Sequence, residues 1–293
     1  MKNKKTINVL VLIIAILAFI ATLTGIMSSY GNGERIFISV FGEEVTLYGK
    51  GIYQNDSVSV TAQGLAQDYV TLILGIGVLL FSLFQFNKGS LKGKLLLLGM
   101  LGFFLYTYIS YTFLWTYNPM FLAYVAIMSS SLFAFVLTIM TIDINNLKEN
   151  FNDKMPVKFL GSFQIFIGIA IALLWIGKIV PALLDQTVPV GLDHYTTLVI
   201  QAMDLGFIVP TAILSGTLLI KKSNYGYLLS SVVIIKGIAL LSSISAMIFS
   251  QFMAGVNMNI VEIIMFPIFN IIVLICLIIL LKNIKEVKKS TLS

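Results

Sequence analysis

The chain has 293 residues, of which 58% are hydrophobic and 11% charged, with a formal net charge of +6. A charged fraction less than half of the ~25% usual in soluble domains excludes an ordinary water-soluble fold. A single cysteine, Cys276, and a single histidine, His194, exclude an intrachain disulfide framework, a thiolate cluster, a CxxC redox pair and a multi-histidine metal site.

In chain order, Met1-Lys2-Asn3-Lys4-Lys5 and an apolar run over 7–27 open the sequence like a signal peptide. The run exceeds the ~7–15 residues of a signal h-region and no A-x-A site follows, so a retained first helix is expected. The stretch from Glu34 to Leu72 is the longest part that cannot sit in lipid, and 31–68 is taken as the outer hairpin segment. Arg35 to Phe41 is β-branched and aromatic, Gly42-Glu43-Glu44 is a turn signal, and Val45 to Tyr48 is a second short run; together they predict a β-hairpin. Asp56-Ser57 is an N-cap signal. Val58, Ala62 and Leu65 follow at helical spacing, which predicts a short amphipathic helix lying in the membrane interface.

Apolar segments long enough to cross ~30 Å of hydrocarbon then follow at about 69–86, 95–115, 121–142, 159–180, 195–220, 227–249 and 259–281. Pro181 is expected to stop the fifth. The predicted fold class is an all-α integral membrane protein of eight spans with an external hairpin. Fifteen of the nineteen basic residues fall in the termini and in the connections 88–94, 148–158 and 221–222. Arg35 and Lys50 fall on the opposite side, and Lys178 and Lys236 within spans. The positive-inside rule therefore puts both termini in the cytoplasm of a plasma-membrane protein and the hairpin outside. The lysine clusters suit anionic lipid at the cytoplasmic face and give no support to nucleic-acid binding.

Three pairs of short segments resemble one another. Asp68-Tyr69-Val70-Thr71-Leu72 matches 194–198, Gly93-Lys94-Leu95-Leu96 matches 226–229, and Asn146-Leu147-Lys148-Glu149 matches 283–286. They suggest a four-plus-four parallel repeat: a first half 1–142, a connection 143–158 and a second half 159–293.

The stretches 47–53, 68–72, 89–96, Tyr117-Asn118-Pro119-Met120-Phe121 and Asp204-Leu205-Gly206 resemble a widespread bacterial family of uncharacterised polytopic membrane proteins. The resemblance spans most of the chain. It implies the membrane class and, that family having no assigned activity, carries over no catalytic residue.

Ionisable groups within spans are costly and are candidates for function. Four stand out: Lys178, Asp204, Lys236 and Glu262. Thr197, Gln201, Asp204, Thr211 and Ser215 form one stripe on the sixth helix, beside the kink signals Gly206, Pro210 and Gly216. Side chains tilt toward the helix N-terminus. That points Asp204 and Lys236 apart, and Lys236 is expected to snorkel toward the cytoplasmic end. Lys178, Gln201, Asp204 and Glu262, with His194 at its edge, are expected to share an outer polar cluster, to which the third helix adds Tyr106, Tyr108, Ser110, Tyr111 and Thr112. Such a cluster is read as ligand-binding; a structural network between helices is the alternative. His194 reads as a loop residue, Cys276 as a buried small hydrophobe, and Ala126, Ser130 and Ala134 as a close-packing stripe.

The sequence has no HExxH, GxSxG, phosphate-cradling glycine loop or second midplane aspartate, and nothing in it calls for a cofactor. The expected function is a ligand-binding or small-solute/lipid carrier bundle. A membrane scaffold or sensor, with a protein partner at the external segment, is the alternative; a membrane-embedded enzyme comes last.

Overall fold

The structure is a computed structural model that describes residues 3–256 and 260–286, without the side chains of Val261 and Glu262. The tail lysines Lys288 and Lys289 lie outside the described residues. Among the described residues, eight helices are long and apolar enough to cross a membrane: α1 (Lys4–Met27), α2 (Val58–Asn87), α3 (Leu91–Phe113), α4 (Phe121–Ile139), α5 (Val157–Leu184), α6 (Val199–Ile220), α7 (Asn224–Met253) and α8 (Ile260–Asn283). The chain is a polytopic membrane protein. Its backbone is helical at depth because only internal hydrogen bonding satisfies N–H and C=O groups in hydrocarbon.

Between α1 and α2, strands β1 (Arg35–Ile38) and β2 (Glu44–Leu47) pair antiparallel, Arg35 opposite Leu47 and Ile38 opposite Glu44. Ser39 accepts from the Phe41 and Glu43 amides in the turn, and Gly42 takes a positive φ there. The hairpin folds down onto the bundle through a bridge from Leu47 to Ser57. We call this end of the molecule the hairpin end and the opposite one the terminal end.

Three expectations change. The helix at Val58 is no separate interface helix. Ser57 caps it by accepting from Val60 N, nothing between 58 and 87 breaks it, and it runs on as α2. The fifth span passes through Pro181 to Leu184; the carbonyl that proline opposes belongs to Gly177, which has open space beside it. The sixth span begins at Val199, after turns over 189–198.

α2 and α6 each contain one π-helical segment, Thr71–Gly75 and Asp204–Ile208. The α-helical parts that follow, Ile76–Asn87 and Val209–Ile220, are offset by 133 residues at both ends. The following turns agree atom for atom. Ser90 N donates to Gln85 O and Ser223 N to Leu218 O, with Gly89 and Lys222 at positive φ, in two Schellman caps. A Cβ on Gly93 would meet the backbone of Gln85 and Phe86, and one on Gly226 that of Leu218 and Leu219.

At the terminal end the two matching tails meet. Phe151 bridges Ile284 antiparallel, Asn152 N donates to Asn283 O, and Lys285 N to Asn150 O.

Packing between the helices is less symmetric. α1 lies along α2 as α5 lies along α6, and α3 packs on α7 across the centre. α1 also packs along α4, and Ile14, Ala18, Ala21, Ile127 and Ala134 belong to one buried core. α5 and α8 have no such contact along their length; Phe166 and Phe269 meet edge to face at 6.3 Å. The hairpin-end half of α2 packs closely on α7, whereas α6 barely touches α3. Consequently 67% of the apolar stretch of α3 is buried, against 28% for α7.

Candidate binding clusters in the bundle

The predicted site residues fall into two groups. Tyr108 and Tyr111 are buried around Asp68, a carboxylate that lies within α2 and not just before the second span. Tyr53 Oη donates to Asp68 Oδ2 at 2.6 Å and Tyr111 Oη to Oδ1 at 3.1 Å. Tyr108, Tyr111 and Tyr124 pack against one another with their rings tilted or edge to face. Gly25 makes room for the carboxylate, since a Cβ there would run into Asp68 Oδ2. The Tyr124 hydroxyl is buried without a hydrogen-bond partner. This interior is closed and filled by aromatic rings.

Asp204 sits elsewhere, on the first residue of the π-helical segment of α6. Tyr106 Oη from α3 donates to Oδ1 at 2.7 Å and Trp175 Nε1 from α5 donates to Oδ2 at 2.9 Å. Lys236 does not snorkel away: its Nζ stands 4.1 Å from the centroid of the Tyr106 ring, within electrostatic reach of Asp204. The two charges form no direct salt bridge, as the side-chain tilt predicts, because the Tyr106 ring stands between them. What the tilt rule misses is the ring itself, which offers a half-buried ammonium a place to stay.

Asp204, Tyr106, Trp175 and Lys236 are all half-buried, as is Gln201 one turn away. Side chains, not packed backbones, span the α3/α6 seam here. Lys178 is exposed near the hairpin end of α5, 5.6 Å from the Trp175 ring. The rest of the stripe divides: Ser215 is buried and donates to Gln164 Oε1 at 2.7 Å, while Thr197 and Thr211 are exposed. Glu262 lies in α8, but its side chain is outside the described residues.

A third set, at the hairpin end outside the spans, joins the two halves. Asp56 Oδ1 accepts from Tyr195 Oη and Thr116 N, both at 2.9 Å, and Ser57 Oγ donates to Asp193 Oδ2 at 2.6 Å. His194 Nε2 lies 2.9 Å from Asn55 O, and its ring packs on Phe37 and Tyr195. His194 is thus part of this latch and not of the Asp204 cluster. Burial pushes the Asp56 carboxyl up to about 6, against the opposing hydrogen bonds, and leaves Oδ2 unpaired. Burial also lowers the His194 imidazole and raises the Tyr195 hydroxyl. At the terminal end Glu286 accepts from Ser90 Oγ, Leu91 N and Lys92 N, which closes the N-terminus of α3.

Among the described residues no group of three or more His, Cys, Asp and Glu is arranged to hold a metal ion. Comparisons of the chain with protein families, with curated proteins and with solved structures returned no match.

Proposed function

We propose that this protein is a ligand-binding bundle of carrier type in the plasma membrane, with its termini in the cytoplasm, and that its ligand's polar part docks at Asp204. The observation that carries the reading is the half-buried set Asp204, Tyr106, Trp175 and Lys236 at the loosely packed α3/α6 seam. Rise along the helices puts Asp204 ~24 Å from the terminal end of α6 and Lys236 ~18 Å from that of α7, well inside the hydrocarbon. Acyl chains offer no hydrogen bonds at that depth; Tyr106 and Trp175 supply one bond to each carboxylate oxygen, and water or the polar part of a small solute or amphiphile takes the remaining acceptor positions. A π-helical segment beside the carboxylate adds support, because such segments often sit at functional sites.

The test is cysteine accessibility in a Cys276→Ala background. Gln201→Cys and Asp204→Cys are expected to react with a membrane-impermeant thiol reagent added from the hairpin side. Failure of both to react, with Val40→Cys labelled as the control, would falsify the open-seam reading.

A second reading, a scaffold acting through the external segment, is favoured by the hairpin itself. Ile36, Phe37, Ile38, Val40 and Phe41 are all exposed, an apolar arm of the kind that docks a partner. Cross-linking from Val40→Cys in whole membranes would then yield one defined partner band, lost on Ile38→Glu.

A further inference from the structure

Lys236 lies where α7 packs on α3 in the centre of the bundle. Its stem runs beside Gly102 of α3, with Cδ 3.8 Å from where a Cβ would stand. Tyr106 follows one turn along the same face of α3, and its ring receives the ammonium at 4.1 Å. An ammonium carries three N–H donors. Among the described residues Lys236 Nζ makes no hydrogen bond; its favourable electrostatic partners are the ring face and the charge of Asp204. Asp204 is short of partners in the opposite sense. A carboxylate offers about four acceptor positions, and Tyr106 and Trp175 fill one on each oxygen.

Tyr106 keeps these two charges from neutralising each other directly. From Nζ the path runs 4.1 Å to the ring centre, on to the hydroxyl, and 2.7 Å more to Oδ1. A ligand with a single charge fits this arrangement badly. A bare cation at Asp204 stands near the Lys236 ammonium and leaves its donors unused. A bare anion at Lys236 meets the Asp204 charge in the same way. Unmade bonds to a charged group away from water are costly. A molecule that carries both charges satisfies both ends at once. The ring sets its length: two charge-assisted hydrogen bonds of ~2.8 Å, with the single carbon that joins amine to carboxylate in an α-amino acid, bridge a gap of this order. Depth favours a free solute over a lipid headgroup, because Lys236 lies ~18 Å from one end of α7 and ~26 Å from the other.

We infer that the solute docked at Asp204 is a small zwitterion of the α-amino acid class, its ammonium on the Asp204 carboxylate and its carboxylate on Lys236, beside the Tyr106 ring. The inference rests on the reading of the α3/α6 seam as a ligand site and names the substrate class of that site. It also gives Lys236 a role of its own. Asp204 alone accepts any amine; Lys236 is what distinguishes an amino acid from the amine or amide of the same side chain.

The experiment follows thermal unfolding of the full chain in detergent at neutral pH with each common α-amino acid at ~10 mM, and with the amide and the N-acetyl derivative of each. The amide keeps only the positive charge and the N-acetyl derivative only the negative one. At least one neutral amino acid is expected to raise the midpoint saturably, with both derivatives roughly tenfold weaker or more. Lys236→Met should bind the amide as well as the amino acid, and Asp204→Asn should bind the N-acetyl form as well as the amino acid. Lys236→Arg should keep the wild-type preference. A general loss of stability does not exchange preferences in this way, and the comparison of derivatives on the wild type stands even where a substitution fails to fold. No midpoint shift with any amino acid, equal shifts with the amide on the wild type, or an unchanged preference in Lys236→Met would each overturn the zwitterion. Labelling of Gln201→Cys without any such shift would strike the ligand class alone; failure of both Gln201→Cys and Asp204→Cys to label would strike the seam reading with it. A shift seen only when phosphatidylethanolamine replaces phosphatidylcholine in nanodiscs would assign the amine to a lipid headgroup and overturn the amino-acid class.

Discussion

At Asp56, burial and hydrogen bonding pull in opposite directions, and burial wins. A carboxyl whose folded pKa is raised contributes stability that is complete below its unfolded value near 3.8 and is lost as pH rises through about 6. The hairpin-end latch is therefore tighter in acid, by on the order of 3 kcal/mol between the ends of that window. Thermal unfolding in detergent from pH 4 to pH 7 should show the wild type losing stability relative to Asp56→Asn; parallel curves would refute it. At Gly25 the constraint is steric. Gly25→Val pushes a side chain into the space of the Asp68 carboxylate, and a loss of about 1–3 kcal/mol or more is expected from overpacking at a buried polar group. Asp68 was hard to recognise in the sequence because its partners are neutral tyrosines from distant segments, not a lysine with a readable depth. The uninterrupted run after the Ser57 cap was the available signal that it lies within a helix. Asp204, with apolar neighbours on both sides in sequence, was recognisable at once, although its bonds to Tyr106 and Trp175 depend on how three helices pack.

Two elements repeat closely enough to be tested against each other. The Schellman turns after Asn87 and Ile220 place Gly89 and Lys222 in the same left-handed conformation. Only the second carries the cost of a side chain there, so Lys222→Gly should stabilise the α6–α7 turn by about 1 kcal/mol and Gly89→Lys should destabilise its counterpart similarly. Denaturation midpoints of the two variants check this, and equal signs would refute the equivalence. Eight helices were legible because a long apolar run leaves the backbone few choices in lipid. The π-helical segments were not, since one extra residue in a turn leaves no mark in hydropathy; Pro210 pointed only to some irregularity near it. The hairpin was readable from its β-branched run and glycine turn. Its docking on His194 was not, because that brings together residues more than a hundred positions apart.

On the scale of the whole molecule, the two ends answer acid in opposite directions. Burial works to raise Glu286, but bonds from Ser90, Lys92 and Leu91 and the Lys92 charge outweigh it and hold the carboxyl below its usual range. Its contribution is present above the unfolded value of 4.5 and is lost as pH falls through the folded one. Spin-label distances across Asn55 and Asp193 should shorten or sharpen on acidification, while those across Ser90 and Lys285 broaden; matching responses at the two ends would contradict these assignments. The paired tails at Phe151 and Ile284 bear on how the halves can move. Such a backbone joint is a fulcrum at one end of the bundle. Once the hairpin-end latch opens, rocking by ~10° about it would barely stir the terminal end but would sweep the far end, across ~30 Å of hydrocarbon, through about 5 Å. That travel is comparable to the width of a lipid chain, and it is delivered where the molecule carries its hairpin.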